Sequence, residues 1–315
     1  MTPDPGDEPR LLLLDTASLY FRAFYGVKEP QPAADGTPTN AVRGLMDMIA
    51  TLVTRFDPSH LAACWDNDWR PAFRVQAIPS YKSHRLAEGS ADQEESPPGL
   101  GVQVPILRRV MESIGLPVLG ADGYEADDVI GTVTHRHAPV MAVDVVTGDR
   151  DLFQLIDDEG QVRVVYTARG GVRGAEIITQ HELWTRYAVR TGAGYADMAC
   201  LRGDTSDGLP GVKGIGDKTA AQLIETYGSL TGLRTALADG DPAIKGARRA
   251  NLEAAGDYLD AAPSVVQVAL DAPVADRALG LPQQVADPGA LARDIETYGI
   301  GGPVRRLLTA LGLTS

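Results

Sequence analysis

Nine carboxylates at irregular spacing are the residues of this 315-residue chain best suited to chemistry. They are Asp15, Asp66, Glu125, Asp127, Asp128, Asp149, Asp151, Asp204 and Asp207. Each follows a predicted strand or turn, so a folded α/β sheet could gather them at one edge. Carboxylates that crowd together either take up protons or bind cations, and sets of oxygen ligands select hard divalent ions such as Mg²⁺ or Mn²⁺. The pattern therefore predicts a site for more than one metal ion.

The elements that must position these carboxylates are short apolar runs alternating with helix-like stretches. The runs are residues 11–14, ending at Asp15, residues 60–65, ending at Asp66, and residues 140–147, which lead into Gly148-Asp149-Arg150-Asp151. Helical patterns cover residues 41–55 and 105–114. The alternation is typical of an α/β fold with a mostly parallel central sheet flanked by helices, in which ligands bind beyond the carboxyl ends of the strands. If the segment stays extended, Asp149 and Asp151 share one face and reach one ion.

Three of the nine acids open a predicted helix over residues 127–137. Glu125 and Asp128 are three residues apart, so they are neighbours if the turn is helical, and a helix N-terminus favours negative charge. The same residues would also serve as an acidic capping turn with no metal. Only the complete set of carboxylates separates the two interpretations.

The hydrophobic content and the net charge are both compatible with a large folded protein that binds metal ions. A 44% hydrophobic content is enough for a full core in one large domain and a smaller one. The formal net charge of −13 argues against a nucleic-acid partner if taken alone. The nine carboxylates account for nine of those charges, leaving about −4, and two or three divalent ions would add roughly +4 to +6. The charge therefore does not exclude DNA.

No membrane or export signal is apparent in the sequence. The longest apolar run, residues 11–14, is far too short for a bilayer, and residues 1–9 form an acidic, proline-rich stretch that we predict to be a disordered tail. Cys64 and Cys200 have no metal-ligand spacing and are predicted to be buried free thiols. We therefore expect a cytoplasmic protein.

Two segments carry local basic character. Residues 79–85 are basic and aromatic, and they lead into residues 88–101, which are rich in Gly, Ser, Pro and acids and are predicted to form a mobile loop or a disordered surface excursion. Residues 203–216 place Gly208, Gly211, Gly214 and Gly216 before a helix over residues 217–227, a geometry suited to phosphate.

The glycine-rich turn has three interpretations. A Walker A loop requires Gly-Lys-Ser/Thr, whereas Asp217 separates Gly216 from Lys218, so the nucleotide motif misses by one residue. A helix-hairpin-helix that contacts a DNA backbone through Lys213 and Lys218 fits better. A purely structural turn is the third possibility.

The chain resembles the bacterial 5′ nucleases, that is, the 5′-exonuclease domain of DNA polymerase I and stand-alone flap endonucleases. The matching stretches are residues 14–22, 73–74, 81–85, 123–131, 147–151 and 203–220, in the order found in the family. The resemblance implies a PIN-like 5′ nuclease fold. It implies a metal-binding α/β domain over residues 10–175 with a helical arch over about 80–107, and a helical DNA-binding region over 176–315 with an H3TH-type hairpin at 203–220.

The resemblance also implies roles for individual residues. Asp15, Asp66, Glu125, Asp127 and Asp128 resemble the ligands of one metal ion, and Asp149, Asp151, Asp204 and Asp207 those of a second, with Asp128 near both. Lys82 and Arg85 would act with Asp128 in catalysis. The implied DNA-binding residues are Arg22, Arg74, Tyr81, Lys82, Arg85, Gly211, Lys213, Gly214, Gly216 and Lys218. A K⁺ ion bound by the hairpin carbonyls is a further expectation, and Gly208 stands where the family usually has Asn.

The implied activity is that of a structure-specific 5′ nuclease, a flap endonuclease and 5′–3′ exonuclease that uses two or three Mg²⁺ or Mn²⁺ ions. Its partners would be DNA with 5′ flaps, nicks or 5′ ends. The resemblance further suggests a monomer that acts in primer removal and repair alongside a polymerase and a ligase, with no membrane partner. The alternatives are a non-catalytic, structure-specific DNA-binding protein of the same fold and a PIN-like ribonuclease.

Overall fold

The computed structural model describes residues 9–27, 32–90 and 93–314. Apart from Pro9, the predicted disordered tail at residues 1–9 lies outside the described residues. No helix within the described ranges is long and apolar enough to cross a membrane. Cys64 and Cys200 are free and buried, as predicted.

A mostly parallel sheet forms the centre of the molecule. Its strands are β1 (Arg10–Asp15), β2 (His60–Cys64), β3 (Val118–Leu119), β4 (Ala142–Thr147), β5 (Val162–Tyr166) and β6 (Glu176–Ile178). They are ordered β3-β2-β1-β4-β5-β6, and only the β5–β6 pair is antiparallel. Since β1, β2 and β4 run side by side in the same direction, the residues after them meet at one edge. The predicted fold class is confirmed.

Helices cover both faces of the sheet. They are α1 (Thr16–Gly26), α2 (Asn40–Phe56), α3 (Ala72–Ala77), α4 (Val104–Ile114), α5 (Ala126–His137), α6 (Gln180–Tyr187), α7 (Gly192–Arg202), α8 (Asp217–Tyr227), α9 (Leu230–Ala238), α10 (Gly246–Ala254), α11 (Gly256–Val266), α12 (Pro288–Tyr298) and α13 (Gly301–Ala310). The helices predicted over residues 41–55, 105–114, 127–137 and 217–227 correspond to α2, α4, α5 and α8.

The leucine run of β1 shows why this strand lies in the middle of the sheet. All four leucines are fully buried: Leu11 and Leu13 belong to the core under α5 and α7, whereas Leu12 and Leu14 belong to the core under α2 and α4. Successive side chains of a strand point to opposite faces, and a strand covered on both faces has a continuous apolar sequence.

The segment predicted as a helical arch, residues 80–107, has a different structure. Among its described residues, only the 3₁₀ turn Ser83–Arg85 and the start of α4 are helical, and Leu86 and Glu94 form an isolated antiparallel bridge. The prediction of a helical arch was wrong for this structure. The glycines, prolines and serines of residues 89–101 favour turns over helix.

The predicted boundary at residue 175 also differs from the structure. Residues 176–178 form β6, the last strand of the sheet, so the α/β part extends further along the chain. The last two helices, α12 and α13, do not join the hairpin region. They pack against α4 and α2 and bury Leu291, Val304 and Leu307 in the same core as Leu12 and Leu14.

This packing predicts a stability cost for Leu307→Ala. The Leu307 side chain is fully buried, so its truncation should lower the free energy of unfolding by about 2–5 kcal/mol. Arg305→Ala on the exposed side of α13 is the control and should change it by less than about 0.5 kcal/mol. Urea denaturation monitored by circular dichroism measures both, and equal stability of the two variants would contradict the packing of α13 on the sheet.

Candidate metal centre and nucleic-acid interface

A cleft of about 270 Å³ opens at the carboxyl ends of β1, β2 and β4. Six carboxylates line it: Asp15, Asp66, Glu125, Asp127 and Asp149, which the sequence predicted as ligands, and Glu94, which it did not. Lys82 and Arg85 line the same cleft. The structure therefore brings five of the nine predicted ligands together, with two cations beside them.

Asp15 is held in place by hydroxyl and amide donors from two neighbouring elements. The Thr147 hydroxyl, at the end of β4, donates to its Oδ2 at 2.6 Å, and the Ser18 amide donates to its Oδ1 at 3.1 Å. Thr147 Oγ1 also accepts the Asp149 amide at 2.9 Å, and Ser18 Oγ accepts the Gly148 amide at 2.9 Å. Thr147 and Ser18 therefore position the carboxylates of two strands. The sequence analysis missed both, although each lies within a stretch that resembles the 5′ nucleases.

Asp66 and Asp127 approach the cleft from β2 and α5. The Ala126 amide donates to Asp66 Oδ1 at 2.8 Å, which joins the end of β2 to the first turn of α5. Asp127, the next residue, accepts no hydrogen bond from the described residues. Its carboxylate oxygens are therefore available to a cation.

Burial and mutual repulsion raise the pKa values of these acids. Burial is the largest cause for Asp15, whose pKa rises to about 6, with the charge of Asp149 adding to it. Burial, with smaller effects from Glu125 and Asp15, raises the pKa of Asp66 to about 7. The pKa of Asp127 is raised well above its ordinary value by burial and then by Asp15 and Asp149. A cation bound beside these groups would favour their ionised forms.

A second acidic group joins Asp149, at the edge of the cleft, to Asp151, Asp204 and Asp207. Burial first, and then the charges of Asp149, Asp207 and Asp204, raise the pKa of Asp151 to about 8. The predicted extended segment is absent: Asp151 begins the 3₁₀ helix Asp151–Leu155, and its amide donates to Asp149 Oδ1 at 2.9 Å. A turn therefore brings the two carboxylates together instead of strand alternation.

Gly208 explains how the second acidic turn packs against the basic segment. It has a φ of +73°, and a Cβ there would lie 2.1 Å from the Ser80 carbonyl oxygen. The Ser80 hydroxyl donates to the Gly208 carbonyl at 2.7 Å, and the Lys82 amide donates to the Asp207 carbonyl at 2.9 Å. Glycine in place of the family's usual Asn thus permits a close approach between residues 80–82 and the turn.

Lys82 and Arg85 contact the carboxylates directly. Lys82 Nζ pairs with Glu125 Oε2, and Arg85 Nη2 pairs with Asp207 Oδ1. Although burial alone lowers it, the charge of Glu125, together with Tyr81 and Asp207, raises the pKa of Lys82 well above its usual value. Lys82 is therefore a cation at neutral pH.

The structure corrects the predicted role of Asp128. It does not line the cleft; it is fully buried, and Arg74 binds both of its oxygens at 2.6 and 2.7 Å. The side chain lies on another side of α5 from Asp127, because consecutive helical residues point about 100° apart. We therefore do not count Asp128 among the metal ligands or the catalytic groups.

Two predicted DNA-binding residues also lie elsewhere. Arg74 is only 2% exposed, so it cannot face a substrate in this conformation. Tyr81 is 4% exposed, and its hydroxyl donates to Glu125 Oε1 at 2.7 Å. Arg22 is half-buried and donates to the Ala168 carbonyl at 3.1 Å. Tyr81 and Arg74 both donate hydrogen bonds to Glu125 and so hold its carboxylate in place.

The predicted hairpin lies between α7 and α8. Its Gly211 and Gly214 have φ values of +63° and +76°, and Gly216 precedes the first turn of α8. Lys213 and Lys218 are exposed and have no carboxylate partner among the described residues. Two free cations beside a helix start form a surface suited to phosphate.

The donor set fits a divalent ion, although the ligands are not pre-arranged at coordination distances. No group of three or more His, Cys, Asp or Glu side chains within residues 9–27, 32–90 and 93–314 is close enough to hold one. The donors are oxygens of crowded, buried carboxylates with raised pKa values, which is the chemistry that Mg²⁺ or Mn²⁺ would stabilise. Binding of such an ion therefore requires the cleft side chains to move closer to one another.

Family models match nearly the whole described chain. The "5′-3′ exonuclease, N-terminal resolvase-like domain" matches residues 10–188, and the "5′-3′ exonuclease, C-terminal SAM fold" matches residues 191–288. The chain belongs to the 5′–3′ exonuclease family. The predicted resemblance is thereby confirmed.

Individual relatives support the assignment of this chain to the 5′–3′ exonuclease family. A 5′–3′ exonuclease of Streptomyces coelicolor is 50% identical over 303 residues, which cover 95% of this chain and 99% of that protein. DNA polymerase I of Mycobacterium tuberculosis is 40% identical over 251 residues, which cover 78% of this chain and 26% of that protein. The structure of bacteriophage T5 5′-exonuclease with bound zinc has the same fold, with a TM-score of 0.64, 18% identity, and coverage of 96% of this chain and 99% of that one.

The raised pKa values predict an unusual pH dependence of stability. In the folded, metal-free exonuclease, Asp15, Asp66 and Asp151 hold protons up to about pH 6, 7 and 8, whereas the unfolded chain releases them near pH 3.8. The folded state therefore binds more protons, and the free energy of unfolding should fall as the pH rises from about 4 to 8.

Thermal denaturation in EDTA between pH 5.5 and 8.5 measures this slope, and Mn²⁺ should remove most of it by replacing the protons. Asp15→Asn with Asp66→Asn should flatten the slope in EDTA. A melting temperature in EDTA that does not depend on pH would contradict the predicted crowding.

Proposed function

We propose that this chain is a divalent-metal-dependent 5′ nuclease that hydrolyses DNA phosphodiesters at 5′ flaps, nicks and 5′ ends. The observation that carries the proposal is the cleft in which five of the predicted ligands meet Lys82 and Arg85. Membership of the 5′–3′ exonuclease family supports the direction of cleavage.

The carboxylates divide into two ligand groups. Asp15, Asp66, Glu125 and Asp127 would hold one Mg²⁺ or Mn²⁺ ion, and Asp149, Asp151, Asp204 and Asp207 would hold the second. Such ions, when bound, supply activation of a water molecule and stabilisation of the leaving 3′ oxygen. Asp15 and Asp149 contribute from adjacent strands through their common partner Thr147.

Lys82 and Arg85 would turn from the carboxylates to the substrate. Lys82 pairs with Glu125, and Arg85 pairs with Asp207. With the charge of these carboxylates compensated by bound metal ions, Lys82 and Arg85 would be free to contact the scissile phosphate and to offset charge that develops on its oxygens.

The hairpin would hold the duplex by its backbone. Lys213 and Lys218 are free to contact phosphates, and backbone carbonyls of residues 211–216 are the proposed ligands of a K⁺ ion. Phosphate contacts orient DNA without reading its sequence, so we expect specificity for structure. The proposed setting is the bacterial cytoplasm, where a monomer would remove primers and process repair intermediates alongside a polymerase and a ligase.

Asp127→Asn should abolish cleavage of a 5′-flap DNA in Mg²⁺ or Mn²⁺, because it removes a cleft carboxylate whose oxygens accept no hydrogen bond from the described residues. DNA affinity, measured in EDTA by fluorescence anisotropy, should remain. Glu296→Gln on α12, away from the cleft, is the control for loss of one negative charge. Flap cleavage by the Asp127→Asn variant at the wild-type rate would refute the metal assignment.

The same assay separates the alternatives. A non-catalytic DNA-binding protein would bind the flap in EDTA and leave it intact in Mn²⁺, whereas a PIN-like ribonuclease would cleave a matched RNA in preference to DNA. We expect cleavage of DNA in Mn²⁺ and none in EDTA.

Lys213→Ala and Lys218→Ala should each weaken binding to duplex DNA regardless of sequence. Each should reduce the slope of log affinity against log salt by about 1, because one phosphate contact is lost. Arg305→Ala removes a positive charge from α13 and should leave the slope unchanged. Equal slopes for all three variants and the wild type would exclude the hairpin as the binding surface.

A further inference from the structure

Arg74 and Asp128 form a buried, bidentate ion pair outside the cleft. Arg74 Nη1 lies 2.6 Å from Asp128 Oδ2, and Arg74 Nη2 lies 2.7 Å from Asp128 Oδ1. Arg74 is 2% exposed and Asp128 is fully buried. Two parallel hydrogen bonds between a guanidinium and a carboxylate fix both position and orientation.

Further hydrogen bonds of the pair reach residues 265–269, at the end of α11 and just after it. Arg74 Nε donates to the Val265 carbonyl at 2.9 Å, and its Nη2 is 3.5 Å from the Gln267 carbonyl. Asp128 Oδ1 accepts the Ala269 amide at 2.8 Å. The pair therefore binds residues 265–269 from both sides, one partner on α3 and the other on α5.

A second side chain holds the same segment. Gln154, just after Asp151, donates to the Val266 carbonyl at 3.0 Å and accepts the Val268 amide at 2.9 Å. Each acidic group therefore lies close in sequence to a side chain that is hydrogen-bonded to residues 265–269. Asp128 follows Asp127, and Gln154 lies three residues after Asp151.

The segment is also continuous with the hairpin. Val265 packs with Ile78, Tyr81 and Leu209, and Leu209 lies in the turn that carries Asp204 and Asp207. Helix α11 contacts both α3 and α7, and α7 leads into the hairpin. Residues 265–269 therefore join the hairpin region to the helix that presents Asp127.

We infer that Arg74 and Asp128 are a positioning pair that holds the DNA-binding hairpin in register with the metal centre. Neither residue is a metal ligand or a phosphate contact. As a statement about catalysis, this inference rests on the proposed function; as a statement about how the two regions are joined, it does not.

The geometry argues against a metal at Asp128. Its oxygens already receive two guanidinium N–H groups and the amides of Ala269 and, at 3.2 Å, Glu125. Taking the carboxylate to a metal would break the bidentate pair and leave the buried Arg74 cation with only the 3.4 Å contact to Glu125 Oε1 as an ion pair, which is unfavourable.

Metal affinity tests the role of Asp128 without any cleavage. Mn²⁺ titration by calorimetry should show a larger loss of affinity for Asp127→Asn, which removes a proposed ligand, than for Asp128→Asn, which removes a positioning group and should cost about 10–100-fold. Equal losses in both variants would overturn the inference for Asp128.

Salt dependence tests the role of Arg74. In EDTA, Arg74→Met should keep the wild-type slope of log DNA affinity against log salt, whereas Lys213→Ala should reduce its magnitude by about 1. A slope reduced by Arg74→Met as much as by Lys213→Ala would make Arg74 a phosphate contact and overturn the inference.

Kinetics and thermal stability test whether the Arg74–Asp128 pair joins the hairpin to the metal centre. Arg74→Met and Asp128→Asn should each lower kcat on a flap substrate more than they raise KM, and each should lower the melting temperature in EDTA. The double variant should lower it by less than the sum of the two, because the second substitution removes a group that has already lost its partner. Additive losses would overturn the pairing.

Arg74→Lys keeps the charge while losing the bidentate geometry, and it replaces Arg74→Met in every measurement if the latter does not fold. It should show the same lowered kcat with an unchanged salt slope, and wild-type kcat in Arg74→Lys would overturn the positioning role. If the wild-type protein cleaves no DNA, the proposed function fails, while metal affinity and additivity in EDTA still decide whether the pair is structural.

Discussion

Repulsion among carboxylates at one edge of a parallel sheet is the constraint on which the rest of this structure depends. The parallel direction of β1, β2 and β4 forces Asp15, Asp66 and Asp149 to the same edge. Burial then makes their charges costly, and the raised pKa values of Asp15 and Asp66 express that cost. A fold with this edge requires positive charge from some source.

The protein supplies part of that charge itself. Lys82 and Arg85 are attached to a short segment whose backbone is bound to the acidic turn through Asp207 and Gly208. The glycine at 208 allows the two segments to touch, which brings the cations within reach of Glu125 and Asp207. Lys82 and Arg85 thereby neutralise one carboxylate in each of the two acidic groups.

Local patterns in the sequence were enough to predict the sheet, the main helices and the clustering of acids. Leu11–Leu14 could be recognised as a buried strand because strand alternation and burial on both faces leave an apolar run. The direction of the Asp128 side chain could not be predicted, because the spacing of Glu125 and Asp128 is the same whether Asp128 faces a metal or Arg74. That choice depends on residues 265–269, more than 130 positions away. The prediction for residues 80–107 failed for a related reason. The family resemblance implied a helical arch, which the described residues of this glycine- and proline-rich segment do not form.

The packing of α13 has a consequence for the order of folding. Residues 301–310 close the core that contains Leu12 and Leu14 of the first strand, so contacts that complete one face of the sheet join segments almost 300 residues apart in sequence. Contacts of such long separation form late, since the loop must close before they contribute. During synthesis, the strand that bears Asp15 would therefore leave the ribosome long before its core can be sealed. A nascent chain would therefore complete this face of the sheet only after α13 has emerged.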